Sequence, residues 1–365
     1  MRWKKLLEWV LCISLSLLSL TGCWDQHPVE DRAAVAAIGV DPGPSASNYR
    51  FTVVFPNVTT TPSSLASSVA SQQFYTVSVT APNLLAALAQ VQRRESRSLY
   101  LGQTRIVCLS SKLPIAVWRN TLNLMADSGR FVLTTWLVAS PQAARVVTLA
   151  PPVEVVPEVG LYNALICRCQ AIRWPGRSWR VWANMETEGI SPTLVDVIVR
   201  HHRFILTHLV VMGSQHVQTW SPAASLGWAY LEGRVLRATS RITLQHTPMV
   251  VGLIRGGSHL GFELNRAGHI TVHAALRYTG VLLGDPGGSD TLARDRLVEH
   301  AMASTIRAQV AAAWNMAQRS GTDPMGWHRD AAWSNAGIAE QVGHWANWTL
   351  KSRVTFRLRE EGVLR

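Results

Sequence analysis

Lysine is nearly missing from this chain: beyond residue 22 only Lys112 and Lys351 remain. Charge of either sign is sparse, at 16% of 365 residues, and acids are scarcer than bases, with 23 Asp and Glu against 35 Lys and Arg. With 47% hydrophobic residues, that composition excludes a disordered or fibrous chain and leaves ample material for buried cores. No apolar run reaches the roughly 20 residues that a membrane-spanning helix needs. The motifs of common catalysts are missing too: no phosphate-binding Walker loop, no dinucleotide GxGxxG, no GxSxG elbow and no HExxH. Five cysteines are an odd number, and once Cys12 and Cys23 are set aside only Cys108, Cys167 and Cys169 are left, which is no disulfide framework.

What is present begins with the leader. Arg2, Lys4 and Lys5 form a positive start, and an apolar run of about ten residues follows from Val10 to Leu20. Leu20-Thr21-Gly22-Cys23 then places small residues before a cysteine, the pattern of a lipobox. We expect residues 1–22 to be a signal peptide that is removed, and Cys23 to carry a diacylglyceryl group with palmitate-type chains. Two or more acyl chains anchor stably at ~0.8 kcal/mol per buried methylene. Lipid would then be the covalent anchor at the outer face of the cell membrane.

The formal net charge is +12, and losing Arg2, Lys4, Lys5 and Glu8 with the leader leaves +10. Such a surplus points to an anionic surface, and for an exported protein that means headgroups or wall polymers, with no nucleic acid among its partners.

Along the mature chain, Tyr49–Phe55, Phe74–Thr80, Thr104–Leu109 and Arg130–Ala139 read as strands. Asn83 caps a helix carrying Leu84, Leu88 and Val91, and Ile115–Ala126 is a second helix. Strands alternating with helices define an α/β region over 23–195. The remainder, 200–365, reads as a C-terminal region of two subdomains, about 200–240 and 241–365. Its clearest helix follows Asp290, with Val298, Met302, Ile306, Val310 and Ala313 at helical spacing and Gly321 as its stop. The chain closes on an alternating strand whose outer face holds Lys351, Arg353, Arg357 and Arg359, the pattern of a solvated face. The fold class is therefore mixed α+β, with three small domains of mixed sheets flanked by helices.

Few side chains suggest chemistry. Cys167 and Cys169 would share one side of a strand, but no Cys/His cluster accompanies them. His201, His202 and His208 cluster without a carboxylate at ligand spacing, Glu186 and Glu188 are a surface pair, and Ser258-His259 reads as a Gly-rich turn. We expect no catalytic residue, no metal and no cofactor. The Arg173, Arg177 and Arg180 stretch, interleaved with Trp174, Trp179 and Trp182, suits either a packed helix end or a headgroup layer.

The run from Cys23-Trp24-Asp25 through Ile38-Gly39-Val40-Asp41 resembles the opening of the Ger(x)C family of spore-germination lipoproteins, the C subunits of nutrient germinant receptors. Arg97-Ser98-Leu99-Tyr100-Leu101-Gly102-Gln103, the Val217–Gly233 element and Asp323-Pro324-Met325-Gly326-Trp327 resemble later family elements, with Pro28 and Gln103 as departures. The resemblance implies a non-catalytic, three-domain protein on the outer surface of the spore's inner membrane. Its partners would be the integral membrane A and B subunits of the receptor. A solute-binding lipoprotein of a transporter is the alternative, and it would need a cleft between two doubly wound lobes. A cell-wall hydrolase is a third reading, and it would need a cleft with paired carboxylates.

Overall fold

The computed structural model describes Trp3, Trp9 and residues 28–57, 74–150, 156–244, 246–284, 292–334 and 348–359. Cys23 and the leader's apolar run lie outside them. Among the described residues no helix is long and apolar enough to cross a membrane.

Short β1 (Arg32–Ala34) leads into β2 (Ala37–Pro42), β3 (Tyr49–Pro56) and β4 (Phe74–Ala81). The helix α1 (Leu84–Gln92) starts where Asn83 Oδ1 accepts from the Ala86 backbone N–H at 2.9 Å. Then come β5 (Ser98–Tyr100), β6 (Ile106–Ser110), α2 (Ile115–Asp127), β7 (Trp136–Ser140), α3 (Ala143–Thr148), α4 (Pro157–Ile166), α5 (Ser178–Glu186) and β8 (Thr193–Arg200). β1 pairs with β5. β2, β6, β7 and β8 run parallel at the centre of a large sheet; β3 and β4 extend one edge antiparallel, and β9 (Arg203–Met212) and β10 (Val217–Thr219) the other. Central parallel strands covered on both faces need apolar residues without alternation, and β6 and β7 are buried at every position. One face packs Ile38, Phe51, Val107, Leu137 and Val210 under α1, α2 and α5; the other packs Cys108, Val138 and Val195 under α3 and α4.

The break expected between 195 and 200 falls inside the β8–β9 hairpin, so the large sheet runs on to Thr219. His201 (φ 47°) and His202 (φ 56°) are the two turn residues between paired Arg200 and Arg203. Left-handed backbone at both positions matches the twist of a two-residue hairpin, and His tolerates that region better than most residues.

Beyond the large sheet, α6 (Pro222–Leu231) is capped by Ser221. A second sheet follows, ordered β11 (Ala238–Leu244), β12 (Thr247–Leu264), β13 (Ile270–Gly284) and β14 (Trp348–Leu358). Between parallel β13 and β14 runs α7 (Leu292–Ser320), then α8 (Trp327–Ser334). The five predicted apolar positions of α7 are all fully buried, and Gly321 follows it at φ 63°. The core below β8 and β9 continues without a gap through Trp228 and Tyr230 of α6 to α7 and the second sheet. The fold is thus mixed α+β and multi-domain.

Candidate functional site

The amino ends of β2, β6 and β7 do not close against the helices. Ala34–Ala36, Gly102–Arg105 and Thr134–Thr135 form one wall, Glu158, Tyr162 and Asn163 of α4 the other, and between them lies a cleft of about 550 Å³. That volume suits a small molecule. Ligands of open α/β sheets sit at the carboxyl ends of the strands, so this cleft is on the opposite side from a nucleotide site.

Glu158 is its one buried acid. Its Oε2 meets no hydrogen-bond donor, and loss of water pushes its pKa above the usual carboxylate value, with Arg105 acting in the other direction. The Arg105 guanidinium lies 5.5 Å from the Tyr162 ring centre, and that of Arg177 lies 4.6 Å from Trp136 and 5.8 Å from Tyr162. Arg177 also donates to the Thr134 carbonyl. Cations over aromatic faces are held by the ring quadrupole. The described lining therefore offers one acid and one arginine, Arg105, with Arg177 held behind it against Trp136, Tyr162 and the Thr134 carbonyl. It holds no second carboxylate and no cysteine or histidine.

Sequence reasoning did not single out Glu158. Pro157 at the first helical position with an acid next to it marks a helix start; nothing in the sequence says that the acid is buried.

The other singled-out residues fall elsewhere. Cys23 lies outside the described residues. Cys167 and Cys169 are bonded to each other in the turn that ends α4, not aligned on a strand, one local bridge rather than a framework. Cys108 is buried in β6, where desolvation pushes its thiol well above its usual pKa. His201 and His202 form the hairpin turn described above. His208 sits on β9 opposite Asp196, its pKa lowered by burial and by Arg200. Glu186 and Glu188 are exposed at the end of α5, and no group of three potential metal ligands occurs among the described residues. Ser258 and His259 lie within β12 and form no turn; Ser258 Oγ donates to the Leu231 carbonyl. In the Arg/Trp stretch Trp174 is buried and Arg177 is pinned under the cleft, while Arg173, Trp179 and Arg180 are exposed. This is a packed helix start with cations at its rim.

Comparison with known proteins adds the lineage. Residues 25–199 match the family model of the spore germination protein N-terminal domain. Spore germination protein KC of Bacillus subtilis (strain 168) is 28% identical over 148 residues, which span 39% of this chain and 36% of that protein. The matched stretch is thus about a third of that relative's length. The crystal structure of the GerBC protein superposes with a TM-score of 0.59 at 14% identity, covering 88% of this chain and 97% of that one; at such identity it speaks for the fold. The matched N-terminal domain, the KC relative and the GerBC fold together support a Ger(x)C family protein.

Proposed function

We propose that this protein is the C subunit of a spore nutrient germinant receptor: a non-catalytic lipoprotein on the outer face of the spore's inner membrane, anchored through acylated Cys23. It acts there beside the integral membrane A and B subunits, in receptor assembly or signalling. One observation carries the reading. The family-matched domain begins at Asp25, directly after the lipobox Leu20-Thr21-Gly22-Cys23.

The transporter alternative calls for a cleft between two doubly wound lobes. Here the cleft opens on one sheet, and among the described residues the second sheet has a helix layer on one side only.

The test is loss of optical density in nutrient-treated spores. Spores lacking this gene, a complemented strain and a strain carrying Cys23→Ala are compared. The expected outcome is that the deletion ignores one nutrient class yet responds to a receptor-independent trigger, and that Cys23→Ala follows the deletion. Normal responses of the deletion to every nutrient, in a background stripped of parallel receptors, would sink the reading.

A further inference from the structure

The second sheet buries one face under α7, and among the described residues nothing covers the other. On the bare face the register sets Arg255 beside Thr279 and Arg357, Gly257 beside Arg277 and Thr355, His259 beside Ala275 and Arg353, and Gly261 beside His273 and Lys351. Every basic residue in these rows is exposed, and so is Arg359 just past β14. Two acids answer them: Glu263 binds His273 at 2.8 Å, and Glu299 of α7 binds Arg357 at 2.9 Å. Arg255, Arg277, Lys351, Arg353 and Arg359 have no salt-bridge partner among the described residues.

The relief is low. A Cβ added at Gly257 or Gly261 would meet nothing within 4 Å. Between the cations lie two shallow hollows. Arg255, Arg277, Arg357 and Arg359 rim one of about 570 Å³, and His259, His273, Lys351 and Arg353 rim one of about 580 Å³.

We propose that this bare face of the C-terminal sheet docks on anionic phospholipid headgroups, the two hollows receiving phosphates. Charge complementarity and shape select that occupant. Neighbouring strands stand about 4.8 Å apart and same-face residues about 6.7 Å apart along a strand, so the cations spread in two dimensions. A bilayer offers anions in two dimensions, whereas an extended acidic peptide offers them along a line and calls for a groove. The inference rests on the membrane-anchored reading above and deepens it. Acyl chains on Cys23 would hold the chain while leaving it free to pivot; the basic sheet sets which side meets the membrane.

The test uses the full chain carrying Cys23→Ala, sedimented with vesicles of phosphatidylglycerol and phosphatidylcholine or of phosphatidylcholine alone. Three versions are compared: the parent, a face variant (Arg255→Glu, Arg277→Glu, Arg353→Glu), and a charge-matched control on the large-sheet unit (Arg119→Glu, Arg200→Glu, Arg203→Glu). The leader, common to all three, cancels in the comparison. We expect the parent to prefer the anionic vesicles, added salt to weaken binding, and the face variant to lose affinity on the order of a hundredfold while the control loses only a few-fold. A set with Gln in place of Glu at the face positions repeats the test if the reversed variant folds poorly. Equal losses in face and control variants would reduce the effect to net charge and overturn the proposal. So would equal binding to both vesicle types, or capture of polyglutamate without capture of vesicles, which would point to an acidic protein partner. Acylation of Cys23, read from the mass of the N-terminal peptide of the wild type, stands or falls separately.

Discussion

The two sheets solve the same problem in opposite ways. The large sheet is covered on both faces, and its middle strands β6 and β7 have no exposed residue. The second sheet is covered once, and β14 alternates buried Val354 and Phe356 with exposed Arg353, Thr355 and Arg357. Position in the first sheet is fixed by packing, so substitutions there act on stability. Half the positions of the second sheet are released from packing, so a change of charge there acts on what the protein meets. The two are joined by α6 and by a contact across 132 residues, where Asp323 N–H donates to Ser191 Oγ at 2.9 Å and Ser191 N–H donates to the Asp323 carbonyl at 2.7 Å.

The sharpest way to break the comparison is at the helix that links the sheets. A Cβ on Gly227 would stand 2.0 Å from the Gln309 carbonyl oxygen of α7, where backbone meets backbone and no side chain can swing away. Gly227→Ala should therefore cost about 3 kcal/mol by forcing the helices apart. Urea denaturation followed by tryptophan fluorescence reads it, and an unchanged midpoint would show that α6 and α7 slide freely.

Next in size is a buried charge. Asp196 in β8 has an Oδ1 without a partner, and desolvation raises its pKa to about 6. An acid raised in the folded state is held neutral there more readily than in the unfolded chain, whose value is near ~3.9. Its contribution is then most favourable below about pH 4 and declines as pH rises toward 6. Asp196→Asn should flatten that slope and stabilise the protein by about 2 kcal/mol at pH 7 relative to its effect at pH 4. A parallel shift at both pH values would mean that Asp196 is solvated. A smaller effect belongs to Ser225, whose hydroxyl accepts from Leu209 N–H at 2.8 Å and donates to the Ser221 carbonyl at 2.8 Å. Ser225→Ala leaves a buried strand N–H unpaired, at a cost of about 1 kcal/mol. Hydrogen exchange at Leu209 should rise ahead of its neighbours; unchanged protection there would place the strand's hold elsewhere.

Legibility in the sequence follows the same division. The alternation of β14, the Asn83 cap and the helical spacing of α7 were all readable, because each pattern reports one buried face. The strand expected over Arg130–Ala139 begins only at Trp136; before it Thr135 is committed to the Thr104 carbonyl and Thr134 to Arg177, contacts between distant segments. The α6 helix is apolar on all sides, which hides its period, and seven of its ten residues are buried. Ser258-His259 was read as a Gly-rich turn, yet it lies within β12, one 18-residue strand. The cleft was invisible, since nothing local reveals that Glu158 lacks water. The basic face was half visible: β14 showed its stripe, but only the register adds Arg255 and Arg277.

Those glycines supply the finest test of the comparison. A Cβ at Gly256 would meet the Arg277 carbonyl oxygen at 2.1 Å, so Gly256→Ala should destabilise, as at Gly227. Gly261, on the bare face, meets nothing within 4 Å and has no left-handed φ. There alanine restricts only the unfolded chain, so Gly261→Ala should stabilise by about 0.5 kcal/mol. Stability alone therefore gives no reason for glycine at 261, whereas a flat floor beneath a docked headgroup does. A bulkier Gly261→Leu should leave the denaturation midpoint nearly unchanged while lowering retention on anionic vesicles. Should Gly261→Leu bind vesicles like its parent, the hollow between His259, His273, Lys351 and Arg353 is not where the phosphate sits, and the face would act through spread charge alone.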